Sequence, residues 1–214
     1  MTDRATKTLR IGVAGLGGGA RQMIAAMGKL EEVEIAAAAD HERSVLDRFE
    51  ADFGKPVYHD VEDMCLDPNL DAIYIATPNR FHVDHATAAF EHGKHVLLEK
   101  PMATNLGDCD AMLIAAKRND VKLAIAHQRR FNPAWTLAKE LVAEGAIGTV
   151  RQVTACGGQG LLNDCSHLLD MMRYVMGDPQ AVWVMGNIER KTERYERDIP
   201  IEDRSLCVVQ FDNG

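Results

Sequence analysis

The sequence has no CxxC pair, no long apolar run, no internal repeat and no excess of basic charge. Its five cysteines, Cys65, Cys109, Cys156, Cys165 and Cys207, are odd in number and scattered, which argues against a disulfide framework or a zinc site and predicts reduced thiols. No stretch approaches the roughly 18 uninterrupted apolar residues of a membrane helix. The opening MTDRATKTLR also has no apolar core of the signal-peptide kind, so a cytoplasmic protein with no membrane partner is expected. Lys and Arg number 24 against 32 Asp and Glu, and the resulting −8 is spread along the chain, which speaks against a nucleic-acid partner. What is present is a chain of 214 residues, 46% apolar, enough to bury a core in one large or two small domains.

From Leu9 to about Ala126, short apolar runs alternate with stretches of helical period, the pattern of βαβ units around a mainly parallel sheet. The runs are Leu9–Ala14, Val33–Ala39, Ala72–Ala76, His95–Leu98 and Lys122–Ala126, with a weaker one at Val57–Tyr58. Between the first two, Ala20, Met23, Ile24, Met27 and Leu30 recur at three- and four-residue spacing and predict a helix with one buried face. Gly93 closes an Ala-rich helical segment and suits a left-handed cap. Past Ala126 the pattern changes. Asn132 and Pro133 read as N-cap and first residue of a helix ending near Gly145, followed by a strand at Thr149–Cys156, a Gly-rich bend and a helix at about Asp164–Met176. Strands near Ala181–Met185 and Ser205–Phe211 complete it. The expected fold is therefore α/β: a doubly wound parallel sheet over residues 1–126, then an α+β domain over 127–214 with a mainly antiparallel sheet.

The first strand runs into Gly15-Leu16-Gly17-Gly18-Gly19-Ala20, a GxGxxA turn opening a helix. Gly15 permits the tight turn, Gly17 lets backbone approach a pyrophosphate, Ala20 allows close helix packing, and the helix N-terminus offers N–H groups to phosphates. Asp40 ends the second strand, where a carboxylate can accept from both ribose hydroxyls and repel a 2′-phosphate, favouring NAD over NADP. A helix N-cap is the other role open to it, and Arg43 three residues on is a possible phosphate partner. Thr77-Pro78-Asn79 and Glu99-Lys100-Pro101 follow the next two long strands, on the edge where open parallel sheets bind ligands. Partly desolvated, the Lys100 ammonium can donate to a substrate hydroxyl and ease proton loss; an ordinary surface lysine is the alternative.

Taken in order, GLGGGA, Asp40, ATPN at 76–79, EKP at 99–101 and RRFNPAW at 129–135 resemble the Gfo/Idh/MocA oxidoreductases, nicotinamide-dependent dehydrogenases of sugars, polyols and related hydroxy compounds. GAIG at 145–148, NDCSHLLDMMRYVMGDP at 163–179 and IEDRSLCVVQFDNG at 201–214 continue the match. The resemblance implies a catalytic Lys100 followed by a cis Pro101, and His167 as the residue that takes the hydroxyl proton, a task its imidazole suits. It further implies cofactor contacts at Gly15, Leu16, Gly17, Gly18, Asp40, Thr77, Pro78, Asn79, His82, Glu99 and Lys100, with His82 on the nicotinamide side. Arg129 and Arg130 are candidate substrate anchors, since a guanidinium presents a fixed fork of donors. Asp170, one turn past His167, reads as structural, and the run Glu189–Asp198 as a solvated hairpin or crossing strand.

Two departures stand out. The family places an Asp four residues before this histidine, and here that position is Asn163, with Asp164 beside it. An amide cannot accept a proton, so either Asp164 substitutes or Lys100 and His167 act alone. The stretch between the strand at 149–156 and the helix carrying His167 is also short for the family, which would leave the substrate pocket without a wall; the chain as a whole is short as well, and the ending Asp212-Asn213-Gly214 reads as a hairpin turn without its return strand. An incomplete sheet and a homo-oligomer formed through its edge are expected. The function this implies is hydride transfer between NAD and a secondary alcohol or ketone of a sugar, inositol, cyclic diol or similar polyol. A non-oxidative lyase or glycosidase cycle that borrows hydride, and a nucleotide-binding protein with little catalysis, are the alternatives.

Overall fold

The computed structural model describes residues 8–158, 160–196 and 199–213. The chain divides into two compact units, Met1–Ala126 and His127–Gly214. In the first unit, β1 (Leu9–Ala14), β2 (Val33–Ala39), β3 (Val57–Tyr58), β4 (Ala72–Ile75), β5 (His95–Leu98) and β6 (Leu123–Ile125) form one sheet in the order β3-β2-β1-β4-β5-β6. Every neighbouring pair is parallel. The strand order reverses between β1 and β4, which opens a crevice at their carboxyl ends.

Continuous apolar strands are what a sheet covered on both faces requires. One face packs α1 (Gly18–Met27) and α2 (Arg43–Phe53) through Ala20, Met27, Leu46 and Phe49 onto Val13, Ala38 and Tyr74. The other packs α3 (Val61–Cys65), α4 (His82–Glu91) and α5 (Leu106–Arg118) through Met64, Phe90 and Met112 onto Ile73, Ile75 and Leu98. The helices stop and start where the sequence indicates. Gly93 takes φ +71° beyond α4, and the Asn105 side chain accepts from Asp108 N–H at 2.9 Å to cap α5.

The second unit opens with α6 (Pro133–Ala143), capped by Asn132, whose side chain accepts from Ala134 N–H at 2.9 Å. A π-helical turn at Leu161–Cys165 runs into α7 (Ser166–Val175). Two antiparallel pairs follow: β7 (Ala181–Glu189) with β10 (Arg204–Phe211), and β8 (Arg194–Glu196) with β9 (Ile199–Ile201). The acidic and basic run at 189–198 thus holds β8 of a short hairpin, with residues 197 and 198 outside the described residues.

The strand expected at Thr149–Cys156 is not formed: these residues are in no regular element. Alternating side chains make a strand only where a neighbour supplies a hydrogen-bond ladder, and among the described residues β10 pairs with β7 alone. The gap between residues 148–158 and β10 is a cavity of about 1090 Å³, lined by Leu168, Met172 and the thiols of Cys156, Cys165 and Cys207. Conversely, β7 continues four residues past the expected Met185, because the ladder to β10 extends from Ala181 to Glu189.

Candidate functional site

The glycine turn sits at the reversal point of the first sheet. Gly15 has φ +85°, and a Cβ there would lie 2.9 Å from the carbonyl carbon and oxygen of Ala76 and the nitrogen of Thr77, so the β1 and β4 loops touch backbone to backbone. Only glycine meets both conditions. Gly17 caps α1 with no side-chain hydrogen bond, and nothing lies within 4 Å of a Cβ built on Gly17, Gly18 or Gly19. The start of α1 therefore faces open space, where its N–H groups can receive an anion and the missing side chains leave room for a dinucleotide.

Asp40 braces this turn. Its Oδ2 accepts from Leu16 N–H at 2.8 Å and its Oδ1 from Glu42 N–H at 2.9 Å, and His41 Nδ1 stands 3.2 Å from Oδ1. Each carboxylate oxygen has a second lone pair, so ribose hydroxyls can be accepted as well. Arg43 is turned along its own helix, 2.7 Å from Asp47 and 3.9 Å from Glu50. These residues fit the adenosine half of a nicotinamide dinucleotide.

At the ends of β4 and β5, Thr77 Oγ1 lies 2.9 Å from His85 Nδ1, and burial pushes the His85 imidazole below its ordinary range. His82 is fully buried, with Nε2 3.0 Å from the Thr77 carbonyl and Nδ1 3.0 Å from that of Pro101. Glu99, half-buried, accepts from the hydroxyl of fully buried Tyr74 at 2.8 Å. Burial first, and the Glu99 carboxylate second, push the Tyr74 phenol far above its usual range, so it remains a donor. Lys100 is only 7% exposed and its peptide to Pro101 is cis. A lysine this buried at a strand end is no solvated surface charge.

In the second unit His167 is 8% exposed in the first turn of α7. Asn163, in the π-helical turn before it, donates its side-chain amide to Glu196 Oε1 of β8. Asp164 points elsewhere: its Oδ2 accepts from Gly158 N–H at 3.1 Å. Arg130 uses all three guanidinium nitrogens on two carboxylates, with Nη2 2.6 Å from Asp170 and 2.8 Å from Asp178. That paired fork holds its pKa above the usual value and that of Asp178 below it. His127 Nδ1 faces Asp170 at 3.3 Å. Arg130, expected on a substrate, is therefore committed as a strut from the turn at Gln128–Phe131, before α6, to α7 and to Asp178 just past it, and Asp170 is its structural partner; Arg129 beside it is half-buried. Glu196, Glu202 (which accepts from Leu161 N–H at 2.6 Å) and Tyr74 carried no sequence signal, since each acts through a partner distant in the chain. Among the described residues no group of three His, Cys, Asp or Glu could hold a metal, and no helix is long and apolar enough to cross a membrane.

Comparison with known proteins bears on this arrangement. Residues 9–127 match the family model described as "Oxidoreductase family, NAD-binding Rossmann fold". The 1-carboxy-3-chloro-3,4-dihydroxycyclo hexa-1,5-diene dehydrogenase of Comamonas testosteroni is 33% identical over 96% of this chain and 56% of its own. Myo-inositol 2-dehydrogenase of Thermotoga maritima is 30% identical over 96% of this chain and 66% of its own. The crystal structure of the WlbA dehydrogenase from Bordetella pertussis, in complex with NADH and UDP-GlcNAcA, superposes with a TM-score of 0.82 at 25% identity, covering 100% of this chain and 66% of that one. The chain thus spans little more than half the length of the first of these relatives.

Proposed function

Because the chain belongs to the Gfo/Idh/MocA family of NAD-binding oxidoreductases, we propose that it oxidises a secondary alcohol of a cyclic polyol, or reduces the matching ketone, with NAD. The observation that carries this is the burial of Lys100 after the end of β5, two strands from a glycine turn open to a dinucleotide, with β4 between them. When bound, NAD supplies the hydride acceptor or donor at its nicotinamide ring.

The chain's own residues do the rest. Leu16, Gly17 and Gly18 bring backbone N–H groups to the pyrophosphate, and Asp40 accepts from the adenosine ribose. Thr77, Pro78, Asn79 and Glu99 line the nicotinamide half. Lys100 Nζ donates to the substrate oxygen and stabilises the negative charge that grows there as the C–H bond breaks, and an imidazole nitrogen of His167 takes the hydroxyl proton. Asn163 cannot exchange a proton and is bound to Glu196, while Asp164 fixes the bend at Gly158, so acid–base work falls to Lys100 and His167. Arg129 anchors a hydroxyl further along the substrate. The names of the two sequence relatives, both enzymes of ring-borne hydroxyls, support the cyclic class.

In β7 and β10, Val182, Val184, Leu206 and Val208 are exposed, which supports self-association through this sheet. The test of function is incubation of the full chain with NAD and a panel of inositols, cyclohexadiene diols, anhydrosugars and hydroxy acids, following reduced nicotinamide. Turnover of ring diols or inositols is expected. Turnover confined to acyclic hydroxy acids, or none with any member, contradicts the reading.

A further inference from the structure

We infer that His82 is a positioning residue: it ties the loop carrying Thr77 to the loop carrying Lys100 through its two ring nitrogens, and holds both at once only when both nitrogens bear a proton. The inference rests on the proposed function for what the two loops do, and on geometry for the tie itself. His82 is the first residue of α4 and is 0% exposed. Its Nε2 is 3.0 Å from the Thr77 carbonyl; its Nδ1 is 3.0 Å from that of Pro101 and 3.4 Å from that of Met102. A carbonyl oxygen can only accept, so each side of the ring requires an N–H. Neutral imidazole has one, and its other nitrogen then aims a lone pair at an oxygen in a site closed to water. The imidazolium satisfies both sides.

What is tied matters. The two loops follow adjacent parallel strands, β4 and β5, whose last shared backbone bond is Glu99 N–H to the Ile75 carbonyl at 2.9 Å. Beyond that point His82 bridges them, with Thr77 held a second time by His85. The charged neighbours are Glu99 at the end of β5, which favours the cation, His85 one turn along α4, which opposes it, and Lys100 within the tied loop. Burial is the largest influence and moves the His82 imidazole below its ordinary range, against the pull of the carbonyls and of Glu99. The doubly bonded tie therefore fills on the acid side of the usual histidine titration, and the neutral ring holds one loop at a time.

The experiment uses the full chain with ¹⁵N-labelled histidine. Side-chain N–H signals of His82 are followed from about pH 8 to about pH 4, through the ordinary histidine range and below it. NAD affinity is titrated over the same range for wild type, His82→Gln and His82→Ala. In the wild type a second ring N–H appears as pH falls, and NAD binding tightens severalfold with it. His82→Ala weakens binding by about tenfold, the scale of one or two lost hydrogen bonds. His82→Gln, which offers one donor and one acceptor, recovers part of that loss and shows no tightening with acid. A folded His82→Ala chain with wild-type affinity and pH response overturns the inference, as does a ring that keeps one bare nitrogen throughout; if the alanine variant fails to fold, the glutamine variant decides. A wild-type chain that binds no NAD overturns the proposed function instead, and the ring signals then judge the tie by themselves.

Discussion

The Oδ2 of Asp40 accepts a hydrogen bond from Leu16 N–H at 2.8 Å, so the acid at the end of β2 fixes the shape of the glycine turn at the end of β1. Its charge thereby braces the turn, and in the proposed function the same carboxylate receives the ribose. Asp40→Ala leaves the Leu16 N–H without its acceptor, and a hydrogen bond to a charged group contributes about 1.5–3 kcal/mol. NAD affinity is expected to fall at least tenfold, with a smaller fall for NADP, whose 2′-phosphate no longer meets a carboxylate. Calorimetric titration with both nucleotides checks this; an unchanged ratio of the two affinities contradicts it.

Gly15 lies on the other side of the same turn. Gly15→Ala imposes a side chain at φ +85° and drives its Cβ to 2.9 Å from the Ala76 and Thr77 backbone. The dihedral alone costs about 1–3 kcal/mol, and the contact adds to it because backbone cannot swing aside. The denaturant midpoint of the first unit should drop clearly; a midpoint equal to wild type would mean that the loops do not meet as described.

The Arg130 fork makes a prediction about acid stability. Arg130 holds the Asp178 carboxyl below its usual range, chiefly by hydrogen bonding. A depressed carboxylate contributes stability that is fully present above its unfolded pKa, about 3.9, and is lost as pH falls through the lower folded value. Arg130→Met should therefore destabilise the chain at neutral pH by about 1–3 kcal/mol, towards the lower end because both partners are partly exposed. It should also flatten the fall in stability below about pH 4, since the linkage is gone. Thermal melts of both proteins between neutral and acid pH measure it, and parallel curves would show that the fork contributes no linkage.

Local chemistry made much of the first unit legible. The runs at Leu9–Ala14 and Val33–Ala39 are strands because they are apolar but for Arg10 and Glu34 near their starts and are flanked by a glycine turn and an acid, and the helix at Asn132-Pro133 begins where cap and proline say it must. Contacts made at long range were not legible. Arg130 looked available to a substrate, yet its partners lie 40 and 48 residues further on, and Asn163 meets Glu196 across 33. His82 shows the same limit from the other side. Resemblance marks it as a site residue beside the nicotinamide, whereas only the fold reveals that carbonyls enclose both ring nitrogens. The missing strand at Thr149–Cys156 fails for a related reason, because alternation is local and a ladder is not.

Lys100 carries the central claim, and substituting it separates binding from chemistry. Lys100→Ala removes the ammonium from the substrate oxygen and leaves the glycine turn and Asp40 in place. The direct measurement is NAD reduction with the best cyclic polyol, alongside NAD affinity, for wild type and Lys100→Ala. The account predicts that the variant binds NAD within a few-fold of wild type and turns over at least about a hundredfold more slowly, the scale of losing a positioned proton donor. Turnover preserved in the variant would contradict it.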